Sequence, residues 1–410
     1  MKVTGIIAEY NPFHNGHKYH IEEARRLTDA DCIVAVMSGP FTQRGLPACY
    51  DKWSRAAMAV ESGADLVIEL PFIYACNSGM EFAQGACGIL DSLGCIDYIA
   101  FGAESDDAEL IFRTANACAD KEGLLPQYIK KYLSEGMTYG RAFSTAVGEA
   151  YGEELRAVLD SPNNLLGVEY IKSLILRDSD IKAVPVLRKG SDHNDLTVAS
   201  EIFASGTAVR EMLDIGDFEK VSKYIPSSAL KIGDASSHRN SKEVKDNMFD
   251  LLKYKISTTS AERLSEIYSV EEGIENRIKK IMTEGSGETD FDSFIMEIKN
   301  KRFTYARLQR IMSYILMDLT DKEFQDLKGT YYGRVLGFSS TGAKLLKSMA
   351  EPSRIPIFTN IGQASDCDRK IARCLEIDAR ASDLFSMVYG DGRIGQDKKQ
   401  IPYILGMYGR

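Results

Sequence analysis

"KVTGIIAEYNPFHNGHKYHIEEARR" (Lys2–Arg26) decides the reading of the fold. Its apolar run to Ala8 predicts a strand, Asn11-Pro12-Phe13 ends it, and the stretch from about Gly16 to Leu27 predicts a helix. Three of the chain's five histidines, His14, His17 and His20, fall on the turn and the first helical turn. A short strand-to-helix turn gathers backbone N–H groups and the positive end of the helix dipole, which makes an anion site. Gly16 has no Cβ and admits a phosphate to the backbone. Imidazoles at i and i+3 project to one side, with Lys18 and His20 as further donors. Such a set suits attack at the α-phosphate of a nucleotide, where fixed donors meet charge on the phosphoryl oxygens and the departing pyrophosphate. The spacing also suits a metal pair, but no third ligand accompanies it, or two ordinary surface histidines. The strand, the Pro-containing loop, the glycine and the following helix favour the phosphate.

Strand and helix signals continue to alternate: strands over 31–37, 65–72 and 96–102, helices over 51–63, about 79–93 and 106–119. Near-continuous apolar strands separated by helices predict an α/β, Rossmann-like, doubly wound parallel sheet covered on both faces. Ligands bind beyond the carboxyl ends of such strands, where His14, His17, Gly102 and Arg188 fall. Helices over 125–180 include one after the turn Ser161-Pro162-Asn163-Asn164, then a strand over 181–188 and a helix from 205 capped by Ser205 or Thr207. A domain boundary is placed near 220. Residues 221–410 read as mostly helical, with helices in 243–256, 261–282 and 304–319, a Gly/Ser link at 284–290, and a possible strand "GRVLGF" in a tail whose arrangement stays open.

A net charge of -9 excludes a protein that coats nucleic acid or anionic membrane non-specifically. Residues 1–300 hold 32 Lys and Arg against 47 Asp and Glu, whereas 301–410 hold 18 against 12. In that basic quarter "KNKRFTYARLQR" places Lys299, Lys301, Arg302, Arg307 and Arg310 around Phe303 and Tyr305. Base stacking and phosphate contact make it an RNA-binding candidate; a solvated basic helix face is the plain alternative. Eight cysteines without any C-x-x-C predict buried free thiols and no metal site. Without a signal-peptide pattern or an apolar run of membrane-spanning length, the expected location is the cytoplasm.

"AEYNPFHNGH" resembles the His-x-Gly-His signature of the nucleotidyltransferase superfamily, and "SGTAVR" (205–210) resembles its second signature, with Arg210 as a triphosphate clamp. Ala8-Glu9 stands where relatives often carry Gly-Gly or Gly-Thr, which points away from the small coenzyme-making adenylyltransferases. Together with "VMSGPFTQRGLPA", "DLVIELPF", "FGAES", "SPNNLLGVEYIKSL" and "KRFTYARLQR", nearly the whole chain is similar to the bacterial tRNA(Met) cytidine acetate ligase family. The resemblance implies that residues 1–220 bind ATP, accompanied by Mg²⁺, and that 221–410 help hold tRNA. ATP and acetate would form acetyl-adenylate, and the acetyl group would pass to N4 of the wobble cytidine of elongator tRNA(Met). It implies an ATP-wrapping segment of Ile7, Ala8, Glu9, Tyr10, Asn11, Pro12, Phe13, His14, Asn15, Gly16, His17, Lys18, Tyr19 and His20, joined by Gly102, Asn163 and Arg188. His14, His17 and Lys18 are the catalytic candidates. The loop 38–45, with Gln43 and Arg44, is a lid, a contact for the incoming base, or a plain surface loop. The rival readings are a coenzyme-making nucleotidyltransferase and a non-catalytic RNA-binding protein.

Overall fold

The computed structural model describes residues 1–105, 107–120, 123–188, 202–235, 238–284, 290–364 and 367–407. Five parallel strands form the expected sheet: β1 (Val3–Ala8), β2 (Cys32–Ser38), β3 (Leu66–Leu70), β4 (Tyr98–Ala103) and β5 (Lys182–Leu187). Their order is β5-β4-β1-β2-β3, with the first strand near the centre. Every residue of β2 is buried because both faces are covered. Val34 and Val36 enter one core, while Ile33, Ala35 and Met37 enter the other. Helices α1 (Asn15–Thr28) and α2 (Lys52–Glu61) follow β1 and β2, and the side chains of His14 and Asp51 cap them. Ser205, the cap expected for the helix Gly206–Asp214, accepts a hydrogen bond from the Ala208 N–H.

The division at 220 does not separate two cores. β6 (Gly333–Phe338) returns to the sheet antiparallel to β3, and β7 (Ile357–Phe358) and β8 (Tyr403–Ile404) each pair with β6. The helices Ser241–Thr258 and Tyr305–Met317 share one apolar cluster with β2, β3 and the helix Gly79–Ser92. A buried ion network fastens the return: Lys52 Nζ lies 2.8 Å from Glu69 and 2.9 Å from Asp397, and Arg334 lies 2.6 Å from Asp397. Four charges balanced within one contact are far cheaper to bury than any one alone.

The helix expected over 261–282 is broken. Helical turns stop at Ser265 and resume at Ile274, and Ser269, Glu272 and Gly273 take positive φ. Most of the expected Gly/Ser link at 284–290 lies outside the described residues. All eight cysteines are free thiols, six of them buried. Among the described residues no helix is long and apolar enough to cross a membrane.

Candidate nucleotide-binding site

The turn between β1 and α1 is built on a buried aromatic floor. Tyr10 and Phe13 are almost fully buried, with ring centroids 4.8 Å apart, and the His17 ring stands 4.9 Å from Tyr10. His14 Nδ1 accepts from the Gly16 N–H at 3.1 Å, and His17 Nδ1 accepts from the His14 N–H at 3.2 Å. The two imidazoles stack with centroids 3.8 Å apart. An Nδ1 that accepts carries no proton, so the remaining proton of each neutral ring sits on Nε2. The turn thereby spends one nitrogen of each ring on its own backbone and leaves two parallel Nε2–H donors.

Those donors are neutral. Burial, reinforced by Arg188 and Arg210, holds the His14 imidazolium down at about 4. Burial also drives His17 well below its ordinary value, with His14, His20 and Arg188 adding to the effect, and burial with Arg188 takes His20 to about 4. Positive potential therefore comes from the arginines. The buried Nε2 of His20 has no hydrogen-bond partner among the described residues.

A cleft of about 690 Å³ opens over these rings. Ile7, Ala8, Glu9, His14, Gly16, His17, Tyr19 and His20 line it, with Gly102, Asn163 and Arg188 from the β4–β5 side and Gln43 and Arg44 from the loop after β2. Asn163 accepts from Arg188 Nη1 at 3.3 Å and donates to Glu104, which also accepts from Ser161 Oγ at 2.5 Å. Asn164 is buried and its Oδ1 accepts the Glu104 N–H at 2.8 Å, a structural part. Gly102 faces the Arg188 stem, which an added Cβ would meet at 3.4 Å.

The other members of the expected ATP segment support the turn instead of lining the cleft. Asn11 Oδ1 accepts the Cys49 N–H at 2.8 Å, Asn15 Nδ2 donates to the Ile202 and Lys223 carbonyls, and Pro12 is buried. Lys18 departs from expectation: it is exposed, pairs with Glu22 at 3.4 Å and does not line the cleft. One residue beyond His17 is about 100° further round the helix, enough to turn it outward. Arg210 Nη1 donates to the Asn11 carbonyl at 2.5 Å and Nη2 to Thr207 at 3.0 Å, so it acts on the turn from behind.

Sequence reasoning missed Arg55. Fully buried, it donates to the carbonyls of Glu9 (2.6 Å), Ser38 (3.0 Å), Gly39 and Tyr50, tying the carboxyl ends of β1 and β2 together. The available signal was its place on the same helical stripe as Ala56 and Ala59, where a charge must have partners. Glu104, in "FGAES", carries no sequence signal of its role, because its partners Ser161 and Asn163 lie more than fifty residues away.

The basic strip divides. Residues 299–304 lie between the helices Phe291–Ile298 and Tyr305–Met317. Phe303 is 2% exposed and packed beneath Arg307, so its ring is not free to stack on a base as expected, while Tyr305 is half-buried and its hydroxyl donates to Asp292. Arg302 pairs with Glu272 at 2.7 Å and Arg307 with Glu271, two acids from the break at 266–273. Lys299 and Lys301 are exposed. Arg310 faces the cleft loop: its Nη1 donates to the Gln43 carbonyl at 3.4 Å. Gly45, with φ +93, presses so closely on that helix that a Cβ would meet the Arg310 nitrogen at 2.5 Å.

Residues 1–400 match the family model for the HIGH Nucleotidyl Transferase. The chain is 37% identical over 410 residues to a tRNA(Met) cytidine acetate ligase of Clostridium novyi, covering 99% of this chain and 100% of that one. It is 37% identical over 393 residues to the one from Caldanaerobacter subterraneus subsp. tengcongensis, covering 95% and 96%. The solved structure of Thermotoga maritima TmcAL bound with alpha-thio ATP superposes with a TM-score of 0.88 at 29% identity, over 99% of this chain and 100% of that one.

Proposed function

This chain belongs to the HIGH nucleotidyl transferase family, and from that premise we propose that it is an ATP-dependent tRNA(Met) cytidine acetate ligase. The observation that carries the reading is the stacked His14–His17 pair, whose Nε2–H groups have no hydrogen-bond partner among the described residues and stand at the head of α1 beside Arg188. The acetate carboxylate attacks the α-phosphorus of ATP, pyrophosphate departs, and acetyl-adenylate remains. Two neutral N–H donors and the helix dipole stabilise the added charge on the α-phosphoryl oxygens, while Arg188 balances the triphosphate. Asn163, held by Glu104, orients Arg188 and the nucleoside. The wobble cytidine N4 of elongator tRNA(Met) then attacks the acetyl carbon and AMP leaves, in the cytoplasm where tRNA matures.

Mg²⁺ enters as part of the substrate, on the triphosphate oxygens. Among the described residues no three His, Cys, Asp or Glu side chains come together to hold a metal, and Glu9 is the one carboxylate on the cleft wall. No step is assigned to a protein-held ion. Support for the tRNA comes from Gln43 and Arg44, which join the cleft to Arg310, with Lys299 and Lys301 exposed on the same segment. The test is incubation with ATP, Mg²⁺, labelled acetate and unmodified tRNA(Met), followed by nucleoside analysis. Labelled N4-acetylcytidine is the expected product; label that never reaches RNA overturns the reading.

A further inference from the structure

Glu9 poses a question that the adenylation step does not answer. Among the described residues it is the only carboxylate lining a cleft that receives a triphosphate and an acetate, and a fixed negative charge opposes both. Its place in the sheet suggests a different substrate group. β4 and β5 lie on one side of β1, and β2 lies on the other. The histidine helix packs towards β4 and β5, and Arg188 from β5 acts on all three histidines, so the nucleotide's charge is met on that side. Glu9 is fixed towards the β2 side, where its Oε1 accepts the Gln43 N–H at 2.6 Å. Exposed Arg44 follows, and behind it stands Arg310. An RNA base that reaches the cleft past this loop arrives first at Glu9.

We propose that Glu9 is a catalytic residue of the second half-reaction: it meets the exocyclic amine of the acceptor cytosine and takes its proton. The inference rests on the ligase reading above. As N4 attacks, the bond from N4 to the acetyl carbonyl carbon forms. The carbon–oxygen bond to the adenylate phosphate breaks, and AMP leaves with that electron pair. The N4 proton passes to the Glu9 carboxylate and from there to water, so no other reactant is required. The same contact selects the base. Cytosine presents an N–H donor at position 4, which a carboxylate accepts, whereas uracil presents an oxygen, which it repels. Arg44 supplies donors for the two acceptors on the rest of that edge. Burial raises the Glu9 carboxyl above its ordinary value against the pull of the Gln43 N–H and of Arg55, Arg210 and Arg44, which makes it a better proton acceptor.

The variant Glu9→Gln keeps the size and the oxygen that accepts from Gln43 but cannot take a proton. Two rates are read: acetate-dependent ATP–pyrophosphate exchange without RNA, and single-turnover acetyl transfer to unmodified tRNA(Met). Transfer is expected to fall about 100-fold or more, the usual weight of a general base, and at least about tenfold further than exchange falls. Supplying ready-made acetyl-adenylate should rescue transfer in His14→Ala and not in Glu9→Gln. Retained transfer overturns the proposal. If Glu9→Gln loses both rates, Glu9→Asp decides: preserved exchange with lost transfer upholds it, and parallel loss overturns it by making Glu9 a nucleotide or folding residue. Wild-type protein that neither exchanges nor transfers would instead sink the ligase reading.

Discussion

Acidification from pH 7.5 to 5.0 should destabilise the folded chain through the histidines of the first turn. In the folded state His14 and His20 titrate at about 4, with burial as the leading cause. Unfolded, each titrates near its ordinary value of about 6.5. Between those values the unfolded chain binds more protons, so stability falls as pH drops through 6.5 and the loss is complete below 4. For one ring the linkage relation gives about 2 kcal/mol lost between pH 7.5 and 5.0, hence about 4 kcal/mol for the two. His17 is shifted in the same direction and adds to this. The assay is urea unfolding at both pH values for the wild type and for His20→Leu. Carboxylates contribute equally to both proteins, so the variant should lose about 2 kcal/mol less than the wild type over the same interval. Saturating ATP should shrink the acid loss further, because phosphate favours the imidazolium. Identical pH differences in the two proteins would refute the claim that these rings are held neutral.

Three further outcomes are expected. In Gly16→Ala the new Cβ would lie 2.9 Å from His14 Cε1, and the His17 ring stacked at 3.8 Å blocks retreat; kcat for pyrophosphate exchange should fall at least about tenfold through misplacement, with the thermal midpoint little changed. Glu104→Ala frees the Asn163 amide and should raise the KM for ATP about tenfold, the value of one charge-assisted hydrogen bond, more than it lowers kcat. Lys299→Ala with Lys301→Ala should weaken tRNA binding and flatten its salt dependence. Arg302→Ala should do so far less, because Glu272 already neutralises that arginine, and a salt titration of tRNA affinity compares the two.

Local chemistry made the first turn legible. A strand, a glycine and three histidines lie within twenty residues, and the pairing of β1 with β2 and β4 needed only apolar continuity. Arg188 stood out because it closes a strand at the sheet's carboxyl edge, whereas Asn163 at a helix start reads by itself as a cap and was singled out only by the resemblance. The return of β6 was not legible, since its pairing with β3 joins segments more than 260 residues apart and is secured by Arg334, Glu69, Lys52 and Asp397 together. Nor does spacing reveal that Phe303 is buried, or that the acids at 271 and 272 turn back onto Arg307 and Arg302. The outward turn of Lys18 is a matter of one residue on a helix. Arg55 left a trace: Lys52, Arg55, Ala56 and Ala59 are all buried on α2, and two charges among buried positions are partnered charges.

The most direct test of the central claim is acetate-dependent ATP–pyrophosphate exchange, without RNA or any other acyl donor, in wild type, His14→Ala and His17→Ala. The neutral donor pair predicts exchange in the wild type and a loss of about 100-fold or more in kcat for each variant, with the KM for ATP changed far less. Exchange that survives either substitution, or that is absent without a different acyl donor, would contradict it.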